Sequence, residues 1–346
     1  MPWTLDRGDL AALSRGAALL SGGGGGHTRI AELTAAQAIV WPIVVHTVDE
    51  VDQELPCVAV GVGGSTMVFR ERLAAGELFA EAIQAVDRWT GAPARAVCLT
   101  EIGGMNALTA LPHAGTLTLV DADLMGRALP GIDQVTLLVD DLPGLVIAVS
   151  PGPRGAMLVA DARPADAEHV LRAAFEAAGG WAGMVVGGFL AGALAEHAVV
   201  GSLRRAFEMG TAWGDDDALP LERRTAAAGG RYFGAGRVTA VELHREDARV
   251  RIIDVEIADG SVLRLVARSE VLACVADGLV VARAPDVIDV VDPQTGTVQQ
   301  VEDIVAGTSA AVIAFEAPSW WSEHPHRLRR VLPSHYGLRE LDEVSG

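Results

Sequence analysis

The 346-residue chain contains no lysine: all 27 of its basic residues are arginine. That absence removes whole reaction classes, because a P-loop lysine, a Schiff-base lysine, a lysine general base and a kinase-type ATP lysine are all impossible. Any phosphate or carboxylate held by a side-chain cation must be held by arginine or protonated histidine. Cysteine is also scarce. Cys57, Cys98 and Cys274 lie far apart and form no CxxC pair, which points to a reducing cytoplasm and small buried thiols. Long apolar runs are missing too. The longest uncharged one, residues 181–195, is followed at once by Glu196 and His197; it is too short to span a bilayer, and its glycines suit a tightly packed buried segment. The N-terminus, MPWTLDRGDL, is charged and amphipathic and shows no secretory leader.

What is present is apolar and acidic. Half the residues are hydrophobic and 21% are charged, and the mean hydropathy is +0.30, so the chain has ample apolar surface to offset the entropy of ordering. A net charge of −18 argues against nucleic-acid and anionic-membrane partners, which require a basic face. The length suits two domains, read here as residues 1–163 and 164–346.

The predicted fold is α/β with a mixed sheet, followed by a C-terminal β-rich domain. Helical patterns cover residues 6–20 and 28–39, broken by Ser21 and five glycines, with Thr28 as the expected N-cap. Short β-like runs follow at 42–47, 57–61, 94–100, 116–120, 134–139 and 145–149, with helical character at 75–89 and 105–111. Strands alternating with helices indicate an α/β region. A strand at 156–160, a helix at 165–178 and a helical stretch at 191–213 lead to an acidic turn at 214–217. Beyond residue 229 the texture becomes β: short strands at 236–244, 249–257, 261–267, 280–283 and 287–291 are separated by Glu-Asp, Asp-Gly and Pro-Gln-Thr-Gly turns.

Three segments carry candidate chemistry. The glycine run fails the dinucleotide fingerprint, because it follows a helix and His27 stands where a third glycine would fall. It is either an interhelix hinge or a loop whose unhindered N–H groups approach a ligand beside His27 and Arg29. Two predicted strands run into Glu101-Ile102-Gly103-Gly104-Met105-Asn106 and into Asp121-Ala122-Asp123-Leu124-Met125-Gly126-Arg127. The carboxyl ends of α/β strands form the ligand crevice, so Glu101, Asn106, Asp121, Asp123 and Arg127 are expected to converge there. The bland alternative makes Glu101 a helix cap and pairs Arg127 with an aspartate. A further strand end, with Gly63, Gly64, Ser65 and Thr66, adds glycines and hydroxyls. Asp121-x-Asp123 with His113 or Glu101 offers oxygen and nitrogen ligands to a divalent ion, but no HExxH and no spaced Cys/His set is present. General-base chemistry and a divalent metal therefore both stay open, with no other cofactor expected.

Taken together, the glycine run, GVGGSTMVFRERLAAGE, EIGGMNAL, LVDADLMGRALP, VVGSLRRAFEMG and the tail segments GRVTAVELHRE, APDVIDVVDPQTG and PSHYGL resemble the S-methyl thiohydantoin desulfurase family over nearly the whole chain. EIGG followed by VDADLMGRALP is the most specific part. The chain departs from that pattern at His27-Thr28, where an aspartate-proline pair is usual. The resemblance implies an N-terminal α/β domain, a C-terminal β-rich domain and hydrolysis at a five-membered imidazolidinone ring, with loss of methanethiol. In that reading Glu101, Asp121, Asp123 and His27 form the catalytic set, with Glu101 or Asp121 as base. Gly23, Gly24, Gly25, Gly64, Ser65 and Asn106 bind the ring, and Arg127 neutralises a substrate carboxylate. Asp121→Asn and Glu101→Gln are then expected to lose activity and keep the fold. A small cyclic amide as substrate and a cytoplasmic homo-oligomer are expected. The alternatives are a non-catalytic partner subunit of a hydantoinase-type complex and a family member recruited to another reaction on a cyclic amide.

Overall fold

The computed structural model describes residues 1–71, 78–152, 155–215 and 219–344; the start of the predicted helix at 75–89 and part of the acidic turn at 214–217 fall outside them. A two-stranded ribbon, β1 (Trp3–Leu5) with β2 (Ile43–Val45), flanks a seven-stranded sheet. The sheet strands are β3 (Pro56–Gly64), β4 (Ala96–Leu99), β5 (Thr118–Asp123), β6 (Val146–Ser150), β7 (Met157–Ala160), β8 (Trp181–Leu190) and β9 (Val199–Val200), ordered β7-β6-β8-β3-β4-β5-β9. Strands β3, β4 and β5 are parallel, and β8 runs antiparallel between β6 and β3.

Helices cover both faces. On one side lie α1 (Leu10–Leu19), α2 (Thr28–Ala38) and α4 (Ala80–Thr90), while a short α3 (Thr66–Glu71) follows the end of β3. The other side carries a single-turn α5 (Thr136–Val139) and α6 (Pro164–Ala177). After a further single-turn helix, α7 (Leu194–His197), the chain returns through β9 to α8 (Ser202–Trp213), which packs on α1. Small residues set the α1–α8 distance: a Cβ on Gly16 would stand 1.7 Å from the Ala206 carbonyl oxygen, and one on Gly210 would stand 1.8 Å from that of Ala12. The uncharged run that sequence alone read only as buried becomes β8. Its glycines let α4 close on the sheet, since a Cβ at Gly187 would meet Val86 Cγ1 at 2.4 Å.

The last third closes into a six-stranded antiparallel barrel: β10 (Arg231–Leu243), β11 (Arg251–Ile257), β12 (Val262–Ala267), β13 (Val271–Ala276), β14 (Leu279–Val291) and β15 (Ser309–Phe315), with β10 pairing both β11 and β15. The expected class, mixed α/β followed by a β-rich domain, is the class observed. Several elements differ. Residues 134–139, read as a strand, form a 3₁₀ turn and α5, because Val135, Leu137, Leu138 and Val139 are buried on every side and such a run carries no period. The helix read across 191–213 is interrupted by β9 and by Gly201 at φ +77°. Strands β13 and β15 were not anticipated, and the predicted strands at 280–283 and 287–291 are one strand, β14. His27, not Thr28, occupies the cap position of α2. Residues after 164 supply β8 and β9 to the sheet before the chain forms the barrel.

Candidate active site

At the carboxyl ends of β3 and β4 a cavity of about 380 Å³ opens between the sheet, α6 and the barrel, within the size range of small-molecule sites. Glu101, leaving β4, is recessed in it. Asn106 fixes that carboxylate: its Nδ2 donates to Glu101 Oε1 at 2.6 Å and to the Val62 carbonyl at 3.0 Å, while its Oδ1 accepts from the Val62 N–H at 2.7 Å. It is the only asparagine in the chain, and both of its N–H donors are spent tying Glu101 to the end of β3. Asn106 therefore positions the Glu101 carboxyl group from within the cavity lining.

The second carboxyl comes from the barrel. Glu270, in the turn between β12 and β13, is buried, lines the same cavity, and accepts from Ser269 Oγ at 2.7 Å. Burial pushes Glu101 up to about 8, with the charge of Glu270 adding to it against the hydrogen bond from Asn106. Burial pushes Glu270 up to about 7, opposed by Ser269 and by the cation of Arg127. Two acidic groups so perturbed and facing one cleft are the arrangement that acid–base chemistry uses. Sequence reasoning missed Glu270 and Ser269. The available signal was an acidic residue set against the apolar run Val271–Ala276, but the strand that gives it meaning went unrecognised.

Gly24 and Gly25, Gly64 and Ser65 line the cavity with Glu101 and Asn106. The glycine run is needed for packing between the two domains. A Cβ at Gly24 would lie 2.1 Å from Glu270 Oε1, and one at Gly25 would lie 2.5 Å from the Gly103 carbonyl oxygen. The barrel also takes up loop backbone: Val271 N–H donates to the Gly22 carbonyl, Val301 N–H donates to that of Gly23, and Gly26 N–H donates to Gln300 Oε1. Gly23 and Gly24 N–H groups turn inward to Ser21. Of the loop residues expected to bind substrate, Gly23 and Gly24 thus have their N–H groups engaged within the protein.

The other predicted residues point elsewhere. The pleat of β5 places Leu119, Asp121 and Asp123 on the face covered by α1 and α8. Asp121 accepts from the N–H groups of Leu203 and Arg204, at 2.8 and 3.4 Å, and from Trp3 Nε1 at 3.3 Å, so it caps α8. Asp123 Oδ2 accepts from the N–H groups of Ile102, Met125 and Gly126 at 2.9, 3.1 and 2.7 Å and staples the two strand ends together. Burial holds its pKa up at about 7. His27 stands on the surface with Nε2 3.4 Å from Asp303 Oδ2. Arg127 is fully buried and crosses to the barrel, where Nη1 donates to the carbonyls of Pro285 and Asp286. Among the described residues no group of His, Cys, Asp or Glu stands at metal-binding spacing; Asp121 Oδ1 and Asp123 Oδ2 accept from backbone N–H groups, Asp121 Oδ2 accepts from the Trp3 indole, and the His113 ring packs on Phe79. Asp121→Ala is accordingly expected to lower stability by about 1–2 kcal/mol through the lost cap and to leave turnover per folded molecule unchanged, measured by thermal melting beside an active-site-titrated assay. A loss of turnover at unchanged melting temperature would return Asp121 to the chemistry.

Fold and site define a class: a two-part protein, α/β sheet plus closed barrel, whose paired carboxyl groups meet at the junction. Its residues 8–161 match the family described as S-Me-THD-like, N-terminal domain, and residues 162–345 match S-Me-THD-like, C-terminal domain. The chain belongs to the S-Me-THD-like family. It is similar in fold to a solved protein from Chromobacterium violaceum, with a TM-score of 0.81 and 22% identity over 99% of each chain. No curated protein matches it. Among the described residues, no helix is long and apolar enough to cross a membrane.

Proposed function

We propose that the chain is a hydrolase of a small cyclic amidine or amide, an S-methylthiohydantoin or hydantoin-like ring. The observation that carries this reading is the meeting of Glu101 and Glu270, one from each domain, in one ring-sized cavity. The family membership agrees with it. In this reading Glu270 is the base and Glu101, held by Asn106, is the acid; burial raises both carboxyl groups into the range where each exchanges a proton near neutral pH.

In the proposed reaction Glu270 takes a proton from water as the new C–O bond forms at the ring carbon bearing the methylthio group. The C=N pair moves to nitrogen, which receives the proton of Glu101. The tetrahedral carbon then expels methanethiolate, which takes the proton from Glu270, while the new hydroxyl returns a proton to Glu101 and becomes a carbonyl. Water enters, methanethiol leaves, both carboxyl groups are restored, and no oxidant or reductant is consumed. Met105, Met125, Met184 and Phe175 give the cavity an apolar wall suited to a planar ring with a thioether substituent. A substrate carboxylate would meet Arg172 at the cavity wall, since Arg127 is sequestered.

The reading is tested by incubating the protein with 2-methylthiohydantoin in ¹⁸O-water. Methanethiol release detected by a thiol reagent, with a single labelled oxygen in the ring carbonyl, is expected. Absence of methanethiol together with failure to open hydantoin itself would sink the proposal.

A further inference from the structure

The last stretch of the chain, residues 318–344, joins both halves of the molecule. It begins on the α/β domain, where Arg327 Nε and Nη2 donate to the Asp140 carboxylate at 2.9 and 2.6 Å. It ends on the barrel, where Leu338 and Leu341 pack with Val266, Leu272 and Ala284. Tyr336 stands between these anchors and touches the supports of both walls of the Glu101 cavity. On the α/β side its hydroxyl oxygen accepts from Gln134 Nε2 at 2.6 Å. Gln134 is fully buried; its Nε2 also donates to the Arg330 carbonyl at 2.8 Å, and its Oε1 accepts from the Gly131 N–H at 2.8 Å. On the barrel side the Tyr336 ring carries the Arg268 guanidinium 5.2 Å from its centroid, within cation–π range. The Arg268 N–H donates to the Glu270 carbonyl at 2.9 Å and closes the turn that presents Ser269 and Glu270. Gly131 and Glu270 line the one cavity from opposite domains.

We propose that Tyr336 is a positioning residue for the paired carboxyl groups: with its hydroxyl on Gln134 and its ring under Arg268, it fixes the spacing between the α/β wall and the barrel turn that carries Glu270. Its consequence for turnover rests on the hydrolase reading; the spacing itself rests on the contacts alone. Glu101 and Glu270 share no strand, helix or loop, so contacts across the junction hold them opposite each other. A misplacement of about 1 Å at such a pair can cost about 10²-fold in rate. Arg127 is one tie across the junction. Tyr336 is a second, and a neutral one. The cations facing Glu270 are Arg127 and Arg268, and Glu101 is the facing carboxyl group; removing the phenol hydroxyl alters none of them.

The test compares Tyr336→Phe with the wild-type chain, because phenylalanine keeps the ring under Arg268 and removes only the hydroxyl. Without substrate, the titrations of Glu101 and Glu270 are followed by ¹³C NMR of glutamate-labelled protein and assigned with Glu101→Gln and Glu270→Gln. Loosened walls admit water and relieve desolvation, so both titrations are expected to move down by about one pH unit toward the ordinary carboxyl range, in a protein that still melts cooperatively. With 2-methylthiohydantoin, kcat should fall about 10- to 100-fold, KM should change far less, and the pH profile should move down with the titrations. Gln134→Met cuts the same tie from the other end and should reproduce these changes, with the double variant no worse than the worse single one; it also carries the test if Tyr336→Phe fails to fold. Unchanged titrations in a folded variant overturn the inference, as do losses that simply add in the double variant. Shifted titrations in a protein whose wild type releases no methanethiol uphold the tie and overturn the hydrolase reading, so the two failures are told apart.

Discussion

Glu270→Gln and Glu101→Gln are each expected to lower kcat by about 10²–10⁴-fold, the usual contribution of a positioned acid or base, with the fold retained. The amides keep the shape of both side chains and remove the proton that each must exchange. The double variant should be little worse than either single one, because the pair acts as a unit. The wild-type pH profile is expected to be a narrow bell, rising as Glu270 ionises near 7 and falling as Glu101 ionises near 8, with the two limbs belonging to the coupled pair. Stability follows the same groups. Burial raises both folded pKa values above those of the unfolded chain, so the folded state binds more protons, and the resulting stability is complete below the ordinary carboxyl range. It is lost as pH rises through about 7 and 8. For Glu270 that loss is on the order of 3 kcal/mol, and Glu270→Gln should flatten the decline in melting temperature between acid and mildly alkaline pH. A full-rate Glu270→Gln enzyme with an unchanged bell would remove Glu270 from the mechanism.

Arg127→Met is expected to be the most damaging substitution for the fold. The guanidinium joins the two domains, since it comes from the segment after β5 and donates from Nη1 to the carbonyls of Pro285 and Asp286 and from Nε to its neighbouring Ala128 carbonyl. It is also the cation nearest two buried carboxyl groups, Glu270 and Asp289. Methionine fills the volume but leaves the carbonyls unsatisfied and the carboxyl groups without a counter-charge, a change that typically costs about 3–5 kcal/mol. Denaturant unfolding should show that loss. In the molecules that fold, the acid limb of the pH profile should move upward, because Arg127 is one of the groups holding Glu270 down. A stability change below about 1 kcal/mol, the scale of an ordinary net hydrogen bond, would show that the junction does not depend on this cation.

Composition and order along the chain determined a good deal by themselves. The absence of lysine fixed which cations are available, and the alternation of apolar runs with helical patterns marked an α/β sheet whose strand ends carry polar residues. Glu101, Asn106, Gly24, Gly25, Gly64 and Ser65 were legible for that reason: each follows or adjoins a recognisable apolar element, and all six line one cavity. Asp121 and Asp123 carry the same local signature as Glu101, yet the pleat of β5 and the arrival of α8 turn both away to accept backbone N–H groups. No local pattern distinguishes a carboxylate that serves a cleft from one that serves a helix terminus, because the difference is made by what packs on it. Arg127 likewise reads as a strand-end cation and becomes a domain tie. Glu270 was hidden for the converse reason: its neighbours in sequence are barrel strands, and only the closure of that barrel against the glycine loop brings it to Glu101. The tertiary structure therefore decided the pairing of Glu101 with Glu270, since two carboxyl groups perturb one another through space and desolvation, and neither distance nor burial is written in the local sequence around them.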